Sequence, residues 1–330
     1  MVTPFNRFFP LFLLTGAAAL AAPELRIGIL GTDSSHSVEL SKLFNVPSNP
    51  DHVPGARIVA AWKGGSPDVE KSASRVEGFA AELRRTYGVR FYSSIEEMMP
   101  QVDAVLILSV DARPHLDEAR RVFAFHKPVF IDKPMAADLG DAIAIFRLAR
   151  RARIPCFSAS GERFTPDIVR LKGADIGRQQ GVFVYGPCPT EPHHPDFYWY
   201  GIHAVEKCYT LMGPGCLTVA RTHTADTDVI TGVWSGGRVG TVWGTRSADH
   251  GFDTIEFGSK AIMGAVPPLT YRPLAVQMVK FFRTGVAPVP PAETIEILAF
   301  MTAADESKRR GGAPVPLAEV LQASGGTDGI

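Results

Sequence analysis

The first half of this chain alternates, and that alternation limits the folds open to it. Short apolar runs at 25–30, 56–62, 89–92, 104–109, 129–131 and 155–158 are predicted strands. Between them lie stretches of helical period, at 35–44, 67–87, 95–99, 116–125 and 142–151. Strands separated by helices of this length pair in parallel through right-handed crossovers. The predicted class is α/β, with a doubly wound, Rossmann-type parallel sheet over residues 22–160. From 161 to 330 the pattern changes. Short alternating runs at 182–185, 217–222, 228–234, 240–244 and 254–257, with a Gly236-Gly237 hairpin signal, predict an α+β domain with an open, mostly antiparallel sheet. One helix is expected inside it, at 203–212, stopped by Gly213-Pro214-Gly215. Two more follow, at 274–283 and 292–309. A length of 330 residues suits two such domains.

Formal net charge is zero and no basic run occurs, so neither nucleic acid nor an anionic membrane surface is an expected partner. The N-terminus is distinct. Arg7 precedes an apolar stretch over 8–22 that contains Ala19-Leu20-Ala21. This is the pattern of a secretory signal peptide, residues 1–21, cleaved after Ala21. It predicts an exported, periplasmic protein with no membrane segment after cleavage. The apolar run falls short of the roughly 20 residues of a membrane span. Cys156, Cys188, Cys208 and Cys216 form no C-x-x-C pair. They are expected to be small buried residues, with a Cys208–Cys216 disulfide as the alternative in an oxidising compartment.

Ligands of a doubly wound sheet lie beyond the carboxyl ends of its strands. The fifth strand ends Asp132-Lys133-Pro134, which puts Lys133 at the mouth of that crevice, able to bond a cofactor ribose or share a substrate proton. The first strand leads into Gly31-Thr32-Asp33-Ser34-Ser35-His36, in the position of a G-x-G-x-x-G phosphate loop. Only the first glycine is present; Asp33 and His36 stand at the other two. A carboxylate about 4 Å from a phosphate repels it by about 4 kcal/mol at an effective dielectric near 20. Asp33 can escape this by turning away to cap the helix, leaving Ser34, Ser35 and free amides as anion donors. The second strand ends without the acid that would bond a ribose. Lys63 stands there instead, and Gly64-Gly65 beside it leaves room for a phosphate.

The second half carries Glu191-Pro192-His193-His194-Pro195-Asp196-Phe197-Tyr198-Trp199-Tyr200-Gly201-Ile202-His203. Aromatic faces suit the apolar face of a sugar ring. His203 can act as acid or base near neutral pH, and Lys133 beside it would keep it neutral by charge repulsion. Tyr198 or Tyr200 is a candidate proton donor. Glu206, one turn on, can orient His203. A metal set from His193, His194, His203 and Glu191 or Glu206 lacks any familiar ligand spacing, and no metal is expected.

Taken together, the chain after residue 21 resembles the Gfo/Idh/MocA oxidoreductases. Asp132-Lys133-Pro134 is similar to that family's Glu-Lys-Pro, and His115 to its histidine after the fourth strand. Arg163-Phe164 looks like its Arg-Phe at the domain junction. Gly201-Ile202-His203 resembles its Gly-x-His, and Ala303 to Ser307 its closing Ala-x-x-x-Ser. The resemblance implies NAD or NADP as cofactor, with Ser109, Asp111, His115 and Asp132-Lys133-Pro134 joining residues 31–36 and Lys63 around it. Lys133 and His203 become the proton-transfer pair, and Arg163, His193, His194, Trp199 and Glu206 line the substrate. It also implies a homo-oligomer through the C-terminal sheet. The chain departs from the family where many members carry an Asp four residues before the His: here that residue is Trp199.

Three functions are compatible with these residues. The first is an oxidoreductase acting on a sugar, polyol or glycoside with a tightly held nicotinamide. Tight binding is required because an exported chain meets no large nicotinamide pool. The second is a redox-neutral, NAD-assisted glycosidase or lyase. The third is a cofactor-free sugar-binding protein or lyase.

Overall fold

A computed structural model describes residues 23–247, 251–265 and 270–330. The expected signal segment, residues 1–21, lies outside them. Among the described residues, no helix is long and apolar enough to cross a membrane.

The first sheet contains β1 (Leu25–Leu30), β2 (Ala56–Trp62), β3 (Arg90–Tyr92), β4 (Ala104–Ile107), β5 (Val129–Ile131) and β6 (Cys156–Ser158). All pair in parallel, in the order β3-β2-β1-β4-β5-β6. This is the doubly wound Rossmann order, with its switch point between β1 and β4. β4 and β5 are buried along their whole length, as strands covered on both faces must be. The crossovers are α1 (Ser35–Asn45), α2 (Glu70–Ala73) with α3 (Val76–Tyr87), α4 (Ile95–Met98), α5 (His115–Phe123) and α6 (Leu139–Ala152).

The single helix expected over 67–87 is therefore two. The break follows Ser72, whose side chain is turned inward. Its hydroxyl accepts from the Ser66 amide at 2.7 Å and donates to Asp33 at 2.6 Å. The Ser74 hydroxyl meanwhile bonds the Glu70 carbonyl, a local bond that competes with helix continuation.

The chain then passes through α7 (Pro166–Lys172) into the second sheet. Its strands are β7 (Gln179–Pro187), β8 (Cys216–His223), β9 (Thr227–Trp234), β10 (Val239–Thr245), β11 (Asp253–Gly258), β12 (Ile262–Ala265) and β13 (Val315–Pro316). They lie in the order β12-β11-β7-β10-β9-β8-β13 and are antiparallel except for β7 with β10. α8 (Ile202–Met212) is buried throughout. At Gly232 an added Cβ would stand 2.6 Å from Phe300, so glycine there lets α10 (Pro291–Arg309) lie against the strands. α11 (Leu317–Ala323) closes the fold.

A cut at residue 160 does not divide the cores cleanly. α9 (Arg272–Thr284) returns to the first sheet, where Phe281 packs 4.6 Å from Phe157, itself 5.0 Å from Phe130. All four cysteines are free and buried, so the Cys208–Cys216 bond is not made. On the outer face of the second sheet Trp243, Val239, Val233 and Ile255 are exposed.

Candidate active site

The carboxyl ends of β1 and β5 and the start of α8 converge on a cavity of about 490 Å³. Lys133 reaches it from the loop after β5, His36 from the first turn of α1 and His203 from the first turn of α8. His203 Nδ1 lies 2.7 Å from Ser160 Oγ, which also accepts from the Glu162 amide at 3.2 Å. With Nδ1 engaged, Nε2 is the ring nitrogen left for a ligand. Burial, then the charges of Lys133, His36 and Lys207, hold His203 far below the usual imidazole pKa, so it is neutral at pH 7.

Lys133 has no carboxylate at ion-pair distance among the described residues. Its Nζ stands over the Tyr200 ring, 5.8 Å from the centroid. Burial lowers its pKa, Asp132 opposes that, and Lys71 adds to it. Asp132 is otherwise committed, pairing with His36 Nδ1 and accepting the Lys133 amide at 2.8 Å. Tyr200 packs its ring 5.0 Å from that of His203. Lys71, from α2, stands 5.8 Å from the ring centroids of both Tyr200 and Trp199. Tyr271 and Phe252 complete the aromatic wall. A neutral imidazole and an ammonium whose pKa is lowered, facing one cavity, can exchange protons with a bound molecule.

Other expected site residues are elsewhere. Tyr198 is buried away from the cavity, its hydroxyl 2.7 Å from Thr302 Oγ1 and donating to the Leu298 carbonyl at 3.2 Å. Glu206 does not orient His203, a task that falls to Ser160. It takes the Arg163 guanidinium at 2.8 Å, and Glu293 takes its other side at 2.5 Å. Arg163 is thereby locked inside the protein rather than presented to a substrate. His194 is buried between Glu191 (2.8 Å) and Asp111 (3.2 Å), tying the second domain to the loop after β4. Burial works against its charge, but Asp111 and Glu191 outweigh burial and raise its pKa. His193 is turned to Glu191 and Asp68. Trp199, by contrast, does line the cavity, 5% exposed, with the His194 ring 4.9 Å away. His115 is held between the Ser109 and Met135 carbonyls, and the Ser109 hydroxyl donates to Glu118. The sequence reading missed Ser160, Glu162, Lys71 and Arg75; Ser160-Gly161-Glu162 directly precedes Arg163-Phe164, whereas Lys71 and Arg75 carry no motif.

The Asp33 side chain crosses the groove that a dinucleotide takes in a doubly wound fold. Asp33 is wholly buried and does not cap α1; Ser34 does, accepting from the His36 amide. The Asp33 carboxylate instead crosses the switch point. One oxygen accepts the Val110 amide at 3.1 Å and the other the Ser72 hydroxyl at 2.6 Å. This bridge joins the loops after β1 and β4 to α2, where a pyrophosphate would pass. The main cavity lies on one side. A second, of about 360 Å³ between Trp62, Ser66, Ser109 and Arg113, lies on the other. Lys63 is not turned to a phosphate either. Its ammonium pairs with Glu77 at 2.5 Å, and its carbonyl takes both the amide and the hydroxyl of Thr32. Gly64 is needed for the close approach of the two loops, since an added Cβ there would stand 3.1 Å from Gly31 Cα, while Gly65 lines the second cavity.

Two measurements check the bridge. Millimolar NAD(H) or NADP(H) leaves the wild-type Tm unchanged; a rise of several degrees would mean that the bridge opens. Asp33→Ala strands a buried hydroxyl and a buried amide, and lowers stability in a urea titration by about 1–3 kcal/mol.

Residues 25–159 match the model of the Gfo/Idh/MocA family, described as an oxidoreductase family with an NAD-binding Rossmann fold. Over 138 residues the chain is 25% identical to the uncharacterized oxidoreductase YhhX of Escherichia coli K12, covering 38% of this chain and 40% of that protein. A probable dehydrogenase from Thermotoga maritima superimposes with a TM-score of 0.73 at 21% identity, over 90% of this chain and all of that one. A putative myo-inositol dehydrogenase from Sinorhizobium meliloti 1021 does so with 0.73 at 18% identity, over 89% and all. At these identities the likeness to the solved structures is one of fold.

Proposed function

We propose, on the premise that this chain belongs to the Gfo/Idh/MocA oxidoreductase family by its residues 25–159, that it moves protons on a sugar, polyol or related small molecule without a dinucleotide. One observation carries this reading: Lys133 and His203 face a single cavity beside a groove that Asp33 bridges. His203, neutral, takes a carbon-bound proton activated by a neighbouring electron-withdrawing group. Lys133 stabilises the negative charge that develops and returns a proton to carbon, or to an oxygen that leaves as water. Tyr200 supports the Lys133 ammonium from below. Elimination and epimerisation both balance in this way with no oxidant. An exported chain without a nicotinamide supply suits such chemistry. Assembly through the exposed outer face of the second sheet belongs to the same reading.

A second reading is nicotinamide-dependent oxidation. It is favoured by the family model's NAD-binding fold and by the inositol dehydrogenase neighbour. The test is direct. The protein is purified from its native compartment and denatured, and the supernatant is examined for nucleotide by mass spectrometry. It is also incubated in D2O with a panel of sugars, polyols and sugar acids. Deuterium in a recovered carbohydrate, with no nucleotide released, supports proton transfer. Near-stoichiometric nucleotide restores the dehydrogenase.

A further inference from the structure

Among the described residues of the cavity the charges do not balance. Each acid of its wall is already paired: Asp132 with His36, and Glu162 with Lys207 at 2.8 Å. Arg246 is also spent, on Asp228. Three cations remain: Lys71, Arg75 and Lys133. Among the described residues none of them has a carboxylate at ion-pair distance. Lys71 and Arg75 sit one turn apart and repel each other. Lys71 and Lys133 both stand 5.8 Å from the centroid of the same ring, Tyr200. Sharing a neutral π face screens two like charges poorly, since each such contact contributes only about 0.5–2 kcal/mol. The first turn of α1 adds to the excess: the Ser35 hydroxyl faces the same space, at the positive end of an 11-residue helix. A cavity with three unpaired cations and no free acid among the described residues is incomplete until an anion enters it.

We infer that this cavity takes a substrate bearing a carboxylate or phosphate on a polyhydroxylated chain, with the anionic group seated between Lys71, Arg75 and the start of α1. The inference rests on the proton-transfer reading for what happens to the substrate, but not for what is bound. Lys71 and Arg75 then set specificity while Lys133 and His203 do the chemistry. This arrangement suits a proton next to a carboxylate. The anchored cations draw charge from the carbon's conjugate base, and Lys133 is left for its own part.

Calorimetric titration tests this with three probes: myo-inositol as neutral polyol, D-gluconate as sugar acid and inositol 1-phosphate as phosphate. The full-length mature protein should bind at least one of the two anions about tenfold or more tighter than the neutral polyol, and whichever of the two is preferred identifies the source of the charge. Its affinity should fall as salt rises. Lys71→Gln with Arg75→Gln should remove about tenfold or more of that preference while leaving neutral-polyol affinity in place. Lys71→Arg should retain it. Both residues are only partly buried, and an unchanged Tm confirms that the double variant is folded. Equal binding of neutral and anionic probes overturns the inference, as does no saturable anion binding at millimolar concentration, or a preference that survives the double substitution. The outcomes separate from those above: anion-selective binding with no deuterium incorporation would leave this site standing and remove the proton-transfer reading.

Discussion

Lys133→Gln and His203→Gln should each slow deuterium incorporation into substrate by about 10²–10⁴-fold, the usual contribution of a positioned acid or base. Tyr198→Phe should leave the rate unchanged, because its hydroxyl is spent on Thr302 and Leu298. A Tyr198→Phe loss as large as that of His203→Gln would sink the assignment. The pH profile is part of the result. Folding depresses His203 well below 6.5, so its neutral form persists on the acid side and activity should survive below pH 6. The alkaline limb should follow Lys133, lowered from 10.5. Stability carries the same signature. Below about pH 6.5 the unfolded imidazole binds a proton that the buried one refuses. The His203 contribution is therefore complete above that value and declines as pH falls toward the folded pKa. In His203→Gln this part of the slope disappears, which a urea titration at several pH values resolves.

Arg221→Met should be the most destabilising single change in the second domain, at about 3–5 kcal/mol. The guanidinium is 1% exposed and holds Asp228 at 2.6 Å, Asp305 at 2.5 Å and Asp196 at 2.8 Å, over the Phe197 ring. Methionine fills much of the volume but leaves buried Asp228 facing the half-buried Asp196 and Asp305 with one cation fewer among them. In the wild type Asp228 is held low, chiefly because Arg221 and Arg246 overcome its burial. Its contribution is present above its unfolded pKa and is lost as pH falls. Without Arg221, Asp305 loses the charge that opposes its burial and is raised further, so the variant recovers part of its stability as pH falls and Asp305 takes up a proton, while Arg246 and His223 still hold Asp228 and Lys308 still holds Asp196. Asp305 already behaves so in the wild type, pushed up to about 6 by burial. A variant whose deficit grew on acidification would refute this account.

How much of this was legible in the sequence differs between backbone and side chains. The parallel sheet was, because its central strands are continuous apolar runs such as 104–107 and 129–131, and short runs alternating with helical stretches identify the class. The second sheet was readable from its alternation and from Gly236-Gly237. Lys133 and His203 were found because their positions follow from topology: one after a sheet strand, one at a helix start. The partners of side chains were not. Nothing local says that Asp33 meets Ser72, 39 residues on, or that Arg163 is consumed by Glu206 and Glu293. The first pairing depends on α2 folding back over the switch point, the second on α8 and α10 meeting the segment after β6. The uninterrupted helical period from 67 to 87 concealed that turn. His193 and His194 looked like one cluster, and both do reach Glu191, yet one is exposed beside Asp68 and the other buried against Asp111.

Lys71 and Ser72 are neighbours on a single short turn of helix, and each answers to a different ligand. An anion drawn to Lys71 steadies the turn that keeps Ser72 on Asp33, while a dinucleotide needs that same bond broken. The two guests are therefore antagonists: each must weaken the other's hold by the same factor. A dehydrogenase cannot work with such mutual exclusion, since its cofactor and substrate must occupy the protein together. On the proposed reading one helical turn would act as a selector between them, because the bond from Ser72 to Asp33 that it holds is the one a dinucleotide would have to break.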